Sequence, residues 1–413
     1  MAKEKVVLAY SGGLDTTAII PWLKENFGYD VICVCVDVGQ AEEITDDNLQ
    51  ERAQMSGAEK LYIEDVVDEL CDDYILPCVQ AGAVYEHKYL LGTSMARPVI
   101  SKKLVEIARK EGATAICHGA TGKGNDQIRF ELSIKALAPD LKIIAPWRMT
   151  DLWNMESRED EIKYCKDHGI DLPFSMGKGY SRDRNIWHIS HEGLDLEDPS
   201  NIPNYDKLLV LTTPPEKAPD AFTDITLTYE EGVPVALNGK KMKYADIIRE
   251  LNILGGENGI GIVDIVENRV VGMKSRGVYE TPGGTILVAA QEQIEELTLD
   301  RETMEYKKRL GSQLAQTVYE GKWFTPLREA IEAFVKSTQK YVTGEVHLKL
   351  YKGNIIKCGT TSPYSLYSES LASFTTGDLY DHRDANGFIT LFGLPLMVRA
   401  MRLQEVNEKT QTK

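Results

Sequence analysis

The 413-residue chain has no surplus of basic residues and no apolar run long enough to cross a membrane. With 63 Asp and Glu against 47 Lys and Arg, its formal net charge is −16. A general nucleic-acid-binding surface needs Lys and Arg to neutralise phosphates, so we expect no nucleic-acid partner. A membrane-spanning helix needs about 20 apolar residues, and Met1–Lys5 leads straight into a predicted strand without a signal peptide. We therefore expect no membrane association.

Metal and thiol motifs are also missing. The seven cysteines are irregularly spaced, without a Cys-x-x-Cys pair, and Cys33 and Cys35 are the closest two. This pattern argues against a zinc ribbon or a redox pair and favours a reducing, cytoplasmic location. The histidines are scattered, and His188 and His191 have no acid at a ligand offset, so we interpret both as structural. We predict no metal site built from protein side chains.

What is present is a short apolar strand, Val6–Tyr10, that runs into Ser11-Gly12-Gly13-Leu14-Asp15 and then a helix. The glycines permit close approach of a ligand to the backbone, and a helix start offers free N–H groups to a phosphate. We expect Asp15 or Thr16 to cap this helix. Two glycines could also simply make a tight turn, but Ser11 and Asp15 at fixed offsets favour a phosphate loop. The chain contains no Gly-x4-Gly-Lys-Ser/Thr, and the loop lacks the third glycine of the dinucleotide fingerprint.

The first 150 residues alternate between strand-like and helix-like segments. The strand-like ones are Val6–Tyr10, Val31–Val36, Lys60–Ile63, Thr114–His118 and Lys142–Pro146; helical ones include Ser94–Lys110 and Asp126–Leu137. Such alternation predicts a doubly wound parallel five-stranded sheet with helices on both faces. Since ligands bind outside the carboxyl ends of such strands, we expect the loops 11–15, 37–40 and 119–126 to converge.

After about residue 170 the pattern changes to hairpins and helices. Predicted hairpins are Asp224–Tyr229 with Val233–Leu237, Gly261–Val266 with Val270–Lys274, and Glu345–Cys358; predicted helices are Thr285–Leu297, Arg301–Tyr319, Leu327–Gln339 and Leu391–Lys409. We predict domains over 1–170 and 171–365, the second α+β, and a C-terminal arm with its helix over 366–413. That last helix could pack on its own domain or on another subunit.

A second polar loop, Gly119–Arg129, follows the fourth predicted strand and opens a helix. Its glycines expose backbone N–H groups, and Arg129 one turn inside the helix faces the same pocket, which suits a carboxylate. Alternatively, Asn125 or Asp126 caps the helix and Arg129 makes a surface ion pair. Near the start of another predicted helix, capped by Thr93 or Ser94, Arg97 opposes the helix dipole and so needs an anionic partner, a phosphate or a nearby acid.

Ser-Gly-Gly-x-Asp after the first strand resembles the pyrophosphate loop of the N-type ATP pyrophosphatases. The chain as a whole is similar to the argininosuccinate synthase family. The resemblance rests on the segments Ala9–Thr17, Tyr89–Pro98, His118–Leu132, Ala145–Arg148, Tyr180–Ser190, Asp264–Leu287 and, more weakly, Ser362–Tyr367. It implies an adenine nucleotide α-hydrolase-like N-terminal domain and an ATP-dependent ligase that joins citrulline and aspartate, in a homotetramer.

The resemblance also implies site residues. ATP contacts would be Ala9, Tyr10, Ser11, Gly12, Gly13, Leu14, Asp15, Thr16, Thr17, Val36 and Gly119; citrulline contacts would be Tyr89, Ser94, Asn125, Arg129, Ser181, Ser190, Glu267 and Tyr279; aspartate contacts would be Thr121, Asn125 and Asp126. Asp15, Arg97 and Ser181 are our candidates for direct catalytic roles. The chain departs from the expected family pattern at Arg182 and Arg184, which puts the local charge of the citrulline loop in question.

The implied reaction has two steps. The citrulline ureido oxygen attacks the α-phosphate of ATP, which carries Mg²⁺, and pyrophosphate leaves; the aspartate amine then attacks the ureido carbon and expels AMP. Synthases with a glutaminase module and tRNA-thiolating enzymes are disfavoured, because the chain lacks a recognisable glutaminase module, reactive cysteines and a basic face. A non-catalytic adenine-nucleotide sensor is the alternative from another class, and it would not need the polar loops at 119–129 and 264–280.

Overall fold

The computed structural model describes residues 3–40, 48–155, 157–170, 179–372 and 381–411. The chain forms two compact units, Met1–Tyr364 and Ser365–Lys413. The larger unit contains a parallel sheet at its N-terminal end and two antiparallel sheets after residue 180.

Five strands form the parallel sheet. They are β1 Lys5–Ala9, β2 Asp30–Asp37, β3 Lys60–Asp65, β4 Ala115–Cys117 and β5 Lys142–Ile144. Their order is β3-β2-β1-β4-β5, and every neighbouring pair is parallel. The predicted doubly wound five-stranded sheet is therefore confirmed. The order reverses direction between β1 and β4, so the polar loops after these two strands lie side by side at the carboxyl edge.

The side chains of the inner strands explain this placement. Val6, Val7 and Leu8 of β1 are completely buried, as expected of a strand covered on both faces. The helices of this region are α1 Leu14–Phe27, α2 Asn48–Met55, α3 Val67–Glu69, α4 Leu76–Ala81, α5 Gly92–Glu111, α6 Asp126–Leu137 and α7 Arg158–Asp167, with a π-helical stretch over Leu70–Ile75. Helix α6 has the predicted bounds.

The predicted caps of α1 and α5 are wrong. Helix α1 begins at Leu14, its N-cap is Gly13, and neither Asp15 nor Thr16 caps it. Helix α5 begins at Gly92, so Thr93 and Ser94 lie inside it rather than at its cap. In both places the N-cap lies two or three residues earlier than the side-chain pattern suggests, and it carries no side-chain hydrogen bond.

The rest of the larger unit holds two antiparallel sheets. Their strands are β6 Ser181–Arg184, β7 Ile189–Glu192, β8 Thr223–Glu230, β9 Val233–Leu237, β10 Lys240–Lys241, β11 Ile262–Asn268, β12 Lys274–Glu280, β13 Gly344–Tyr351 and β14 Asn354–Thr361. One sheet has the order β11-β12-β7-β6 and the other β10-β9-β8-β13-β14. The three predicted hairpins are present, but the strand predicted over Val270–Lys274 is wrong: the turn runs to residue 273 and β12 begins at Lys274.

The helices of this region are α8 Tyr205–Leu208, α9 Tyr244–Glu257, α10 Pro282–Thr298, α11 Arg301–Tyr319 and α12 Pro326–Thr338. Helix α11 has the predicted bounds, and α9 was not predicted. The smaller unit contains α13 Glu369–Ala372 and α14 Asp384–Gln411; α14 confirms the predicted C-terminal helix and begins earlier. Among the described residues, no helix is both long and apolar enough to span a membrane.

Candidate active site

The loop after β1 has the geometry of an anion-binding turn. Gly12 has a φ of 77°, which favours glycine. The Ser11 hydroxyl accepts a hydrogen bond from the Gly13 amide at 3.3 Å, and Thr16 Oγ1 donates to the Gly13 carbonyl at 3.2 Å. Ser11 and Gly13 are exposed, so the loop and the N-terminal end of α1 are open to a phosphate.

The other residues predicted to contact ATP surround this loop. Ala9 ends β1, Tyr10 and Leu14 are buried, and the Tyr10 hydroxyl lies 3.4 Å from Thr17 Oγ1. Val36 is buried near the end of β2. Gly119 packs against α1, since a Cβ there would lie 3.3 Å from Thr16 Cγ2. The start of the loop after β4 thus lies beside the first turns of α1, the helix that follows the phosphate loop.

Asp15 lies half-buried in the first turn of α1 and interacts with Glu161 of α7. The Glu161 side chain is almost completely buried. Burial, followed by the neighbouring Asp15 carboxylate, raises the pKa of Glu161. This contact between Asp15 and Glu161 brings α7 next to the first turn of α1, which follows the phosphate loop.

A cavity of about 280 Å³ opens beside the loop after β4. Ten of the predicted site residues line it: Tyr89, Gly119, Thr121, Asn125, Asp126, Arg129, Ser181, Ser190, Glu267 and Tyr279. Ser94 is fully buried in α5 and does not line the cavity, nor do Ala9–Thr17 and Val36. The structure therefore brings the predicted citrulline and aspartate residues together, next to but separate from the phosphate loop.

Arg129 provides the positive charge of the cavity floor. It is 4 % exposed, its Nε donates to the Tyr319 carbonyl at 3.1 Å, and its Nη1 donates to Asp126 Oδ1 at 3.0 Å. A guanidinium carries five N–H donors. Two of these N–H groups donate to the described residues named above, so three N–H groups of Arg129 are left for a substrate carboxylate.

Arg97 lies behind the cavity wall, between two acids. Its Nη2 is 2.8 Å from Asp126 Oδ2 and 2.8 Å from Asp183 Oδ1. The sequence left open whether Arg97 pairs with a phosphate or with a nearby acid, and the structure shows that it pairs with acidic side chains. Burial alone would raise the pKa of Asp126, but Arg97 and Arg129 outweigh it and hold that pKa below its ordinary value.

The cavity lining also carries carboxylates in a different environment. Glu267 is buried, and its Oε1 accepts a hydrogen bond from the Tyr279 hydroxyl at 3.1 Å. Burial raises the pKa of Glu267 above its ordinary value. At the rim, Arg269 Nη2 lies 2.7 Å from Glu192 Oε2.

Asp183 is fixed by a short hydrogen-bond chain. Thr93 Oγ1 donates to Asp183 Oδ2 at 2.8 Å and lies 3.1 Å from His188 Nε2. Because the Thr93 proton is directed to the carboxylate, His188 Nε2 is the donor of the second bond. Burial lowers the pKa of His188 to about 4, so the ring is neutral near pH 7. This agrees with the structural role predicted for His188.

Arg182 points away from the cavity. Its Nε donates to His191 Nδ1 at 3.2 Å, which leaves His191 Nε2 to donate to Glu280 Oε1 at 2.6 Å. Both His191 and Glu280 are fully buried, and the Glu280 carboxylate also accepts the backbone N–H groups of residues 210, 211 and 212. The Glu280 carboxylate therefore holds segment 210–212 against this sheet, and Arg182, which does not line the cavity, also donates to the carbonyls of residues 207 and 208. Arg184 ends β6, paired in register with Ile189.

Sequence reasoning missed several residues of the site. Besides Ala120 and Gly124 of the loop after β4, the cavity lining includes Thr93, Asp183, Glu192 and Arg269. The last three each lie two residues after a predicted one, namely Ser181, Ser190 and Glu267. For Asp183 and Glu192, a period of two places both residues of the pair on one face of a strand, whereas Arg269 lies just after the end of β11. Tyr319, which contacts Arg129 and Asn125, carries no such signal. In the part of the chain that the structure describes, no group of three His, Cys, Asp or Glu residues could hold a metal ion.

Comparisons with known proteins agree along the chain. Residues 5–171 match the model of the arginosuccinate synthase N-terminal HUP domain, and residues 180–399 match that of the arginosuccinate synthase C-terminal domain. A protein named argininosuccinate synthase from Agathobacter rectalis is 77 % identical to this chain, over 98 % of this chain and 99 % of its own length. One of the same name from Lachnoclostridium phytofermentans is 73 % identical, over the same shares of the two chains. Another from Acetivibrio thermocellus is 61 % identical over 98 % and 99 %. The chain belongs to the argininosuccinate synthase family.

Proposed function

We propose that the chain ligates citrulline and aspartate at the expense of ATP, through a citrullyl-adenylate, as a step of arginine biosynthesis. Membership of the family implies a ligase that uses ATP. The observation that supports the assignment of the substrate-binding residues is the cavity itself. Residues from separate segments of the chain give it one floor arginine, several wall carboxylates and a neighbouring phosphate loop. Two amino acids and a triphosphate need this set of charges.

Citrulline is proposed to lie between the floor and the acidic wall. Its α-carboxylate pairs with the free N–H groups of Arg129, and its α-ammonium pairs with Glu267. The neighbours Tyr89, Asn125, Ser181, Ser190 and Tyr279 complete the contact set, with Ser94 beneath Tyr89. The ureido oxygen then faces the mouth of the phosphate loop.

Aspartate is proposed to bind the loop after β4 through Thr121, Asn125 and Asp126. The exposed glycine-rich backbone there offers N–H donors to its carboxylates. Its amine must be uncharged to attack the ureido carbon, and Asp126 orients it.

ATP, carrying Mg²⁺, is proposed to bind Ala9–Thr17, Val36 and Gly119. The ureido oxygen attacks the α-phosphate and pyrophosphate leaves into the loop, whose N–H groups and α1 dipole stabilise its charge. We retain Asp15 and Ser181 as groups with a direct role. The contacts of Arg97 support a positioning role, because its charge is directed at Asp126 and Asp183.

We further propose a cytoplasmic homotetramer with domains over 1–170 and 171–365 and an arm over 366–413. The described cysteines are all free thiols, which suits a reducing compartment. Helix α14 exposes large apolar side chains, among them Phe388, Leu391, Phe392 and Leu396, as expected of a surface that another subunit covers.

Exchange of labelled pyrophosphate into ATP tests the first step. We expect exchange that depends on citrulline and needs no aspartate, because adenylation is reversible and precedes the amine attack. Aspartate alone should support none. Exchange that proceeds equally without citrulline would contradict adenylation of this substrate.

A further inference from the structure

Tyr319 lies directly behind the cavity without lining it. It ends helix α11 and is 1 % exposed. Its hydroxyl accepts a hydrogen bond from Asn125 Nδ2 at 2.9 Å, and its carbonyl accepts one from Arg129 Nε at 3.1 Å. The Arg129 guanidinium also lies 5.0 Å from the centre of the Tyr319 ring. One residue thus holds two of the proposed citrulline contacts.

The ring itself is fixed by aromatic neighbours. Tyr85 stacks on it with ring centroids 3.6 Å apart and planes 6° apart, and Tyr89 meets it edge-on at 6.1 Å. The turn after α11 also approaches α6 closely, since a Cβ on Gly321 would lie 2.7 Å from the Arg129 Cα. These contacts leave the Tyr319 hydroxyl little freedom to move.

The Asn125 amide is held at both of its polar atoms, one of them by the Tyr319 hydroxyl. Nδ2 of Asn125 donates to Tyr319, and Oδ1 accepts the backbone N–H of Val270 at 3.0 Å. The second N–H of the amide is then the donor that remains for a substrate. The Tyr319 hydroxyl also lowers the pKa of Glu267, against the raising effect of burial.

We propose that Tyr319 is a positioning residue for citrulline, which orients the side chains of Asn125, Arg129 and Glu267 around the amino-acid end of this substrate. The proposal rests on the proposed function. It assigns a role in the site to helix α11, whose sequence is separated from the other cavity segments.

The test is Tyr319→Phe, which removes the hydroxyl and keeps the ring, the stack on Tyr85 and the carbonyl. Tyr229→Phe is the matched control, because Tyr229 is also 1 % exposed and its hydroxyl has no hydrogen-bond partner in the part of the chain that is described. We expect Tyr319→Phe to raise the KM for citrulline about tenfold, the value of one lost hydrogen bond. The KM for ATP should change less than about twofold, and the melting temperature should stay near that of the control.

The pH profile separates positioning from packing. The charged and titratable groups that face Glu267 are Tyr85, Tyr89, Arg129, Glu192, Tyr279 and Tyr319. Of these, the variant removes the Tyr319 hydroxyl, which lowers the pKa of Glu267. We therefore expect the acid limb of kcat/KM for citrulline to move to higher pH in Tyr319→Phe, and not in Tyr229→Phe.

A folded Tyr319→Phe variant with the control's citrulline KM and pH profile would overturn the proposal and leave the proposed function intact. The proposed function fails separately, if pyrophosphate exchange by the unchanged protein shows no dependence on citrulline.

Discussion

Arg129 offers the sharpest test of the proposed citrulline site, through Arg129→Gln. The substitution removes the buried guanidinium and leaves Asp126 with Arg97, whose Nη2 lies 2.8 Å away. Asp126 therefore keeps a charged partner, and Glu267, which Arg129 also faces, keeps its hydrogen bond from Tyr279. What is lost is the set of free N–H donors that we assign to the α-carboxylate of citrulline.

The magnitude follows from the type of bond. A hydrogen bond between charged groups contributes roughly 1.5–3 kcal/mol, which corresponds to a roughly 10- to 150-fold weaker affinity. We expect the KM for citrulline in ATP–pyrophosphate exchange to rise within that range. The KM for ATP should stay within about twofold, because the described part of the cavity shares only Gly119 with the proposed ATP residues.

Arg109→Gln is the matched control. Arg109 lies on the surface of α5 and pairs with Asp140, also exposed, and such pairs contribute about 0–1 kcal/mol. It should leave both KM values unchanged. If Arg129→Gln is folded and has an unaltered citrulline KM, Arg129 is only an ion-pair partner of Asp126, and the assignment of the cavity floor is wrong.

Two further predictions concern the groups behind the site. Burial and Asp15 raise the pKa of Glu161 from 4.5 to about 8, so ionising it costs free energy in the folded chain, and stability declines as pH rises through that window. Glu161→Gln should be more stable than the unchanged chain at pH 8 and above, with the difference shrinking towards pH 5. If urea unfolding shows the same difference in stability between the two proteins at every pH in this range, the raised pKa of Glu161 is refuted. Arg97→Gln should lower the free energy of unfolding by about 1.5–3 kcal/mol, because it removes charged hydrogen bonds to Asp126 and Asp183 while Asp126 keeps Arg129 and Asp183 keeps Thr93. An unaltered stability with a raised KM for ATP would instead favour phosphate binding by Arg97.

The N-terminal sheet could be predicted because each inner strand is a short apolar run between polar loops. Val6–Leu8 are buried on both faces, so the sequence carries the signal without tertiary information. The helix starts could not be predicted in the same way. At Gly13 and Leu91 the chain enters a helix without a side-chain cap, so the residue types that mark such a start are absent from the cap position.

The residues of the candidate site also fall into those that a local sequence pattern predicts and those that it does not. Residues on the motif segments were predictable, and their strand neighbours Asp183 and Glu192 could have been found by counting two residues along β6 and β7. Tyr319 could not. Its segment reads as an ordinary amphipathic helix, and its role arises because the turn at Gly321 packs against the backbone of Arg129, a contact between segments that no local pattern encodes.

The carboxyl groups of Asp126 and Glu267 have pKa values shifted in opposite directions by their surroundings. Asp126 faces two arginines, which keep its pKa low, whereas burial raises the pKa of Glu267. A carboxylate held at low pKa is a weak base, so Asp126 is suited to orient the aspartate amine by its charge and unsuited to remove its proton. Glu267 gains most when a cation arrives, because a buried carboxylate is stabilised by a charged partner. This difference favours the α-ammonium of citrulline at Glu267 and the reacting amine of aspartate at Asp126.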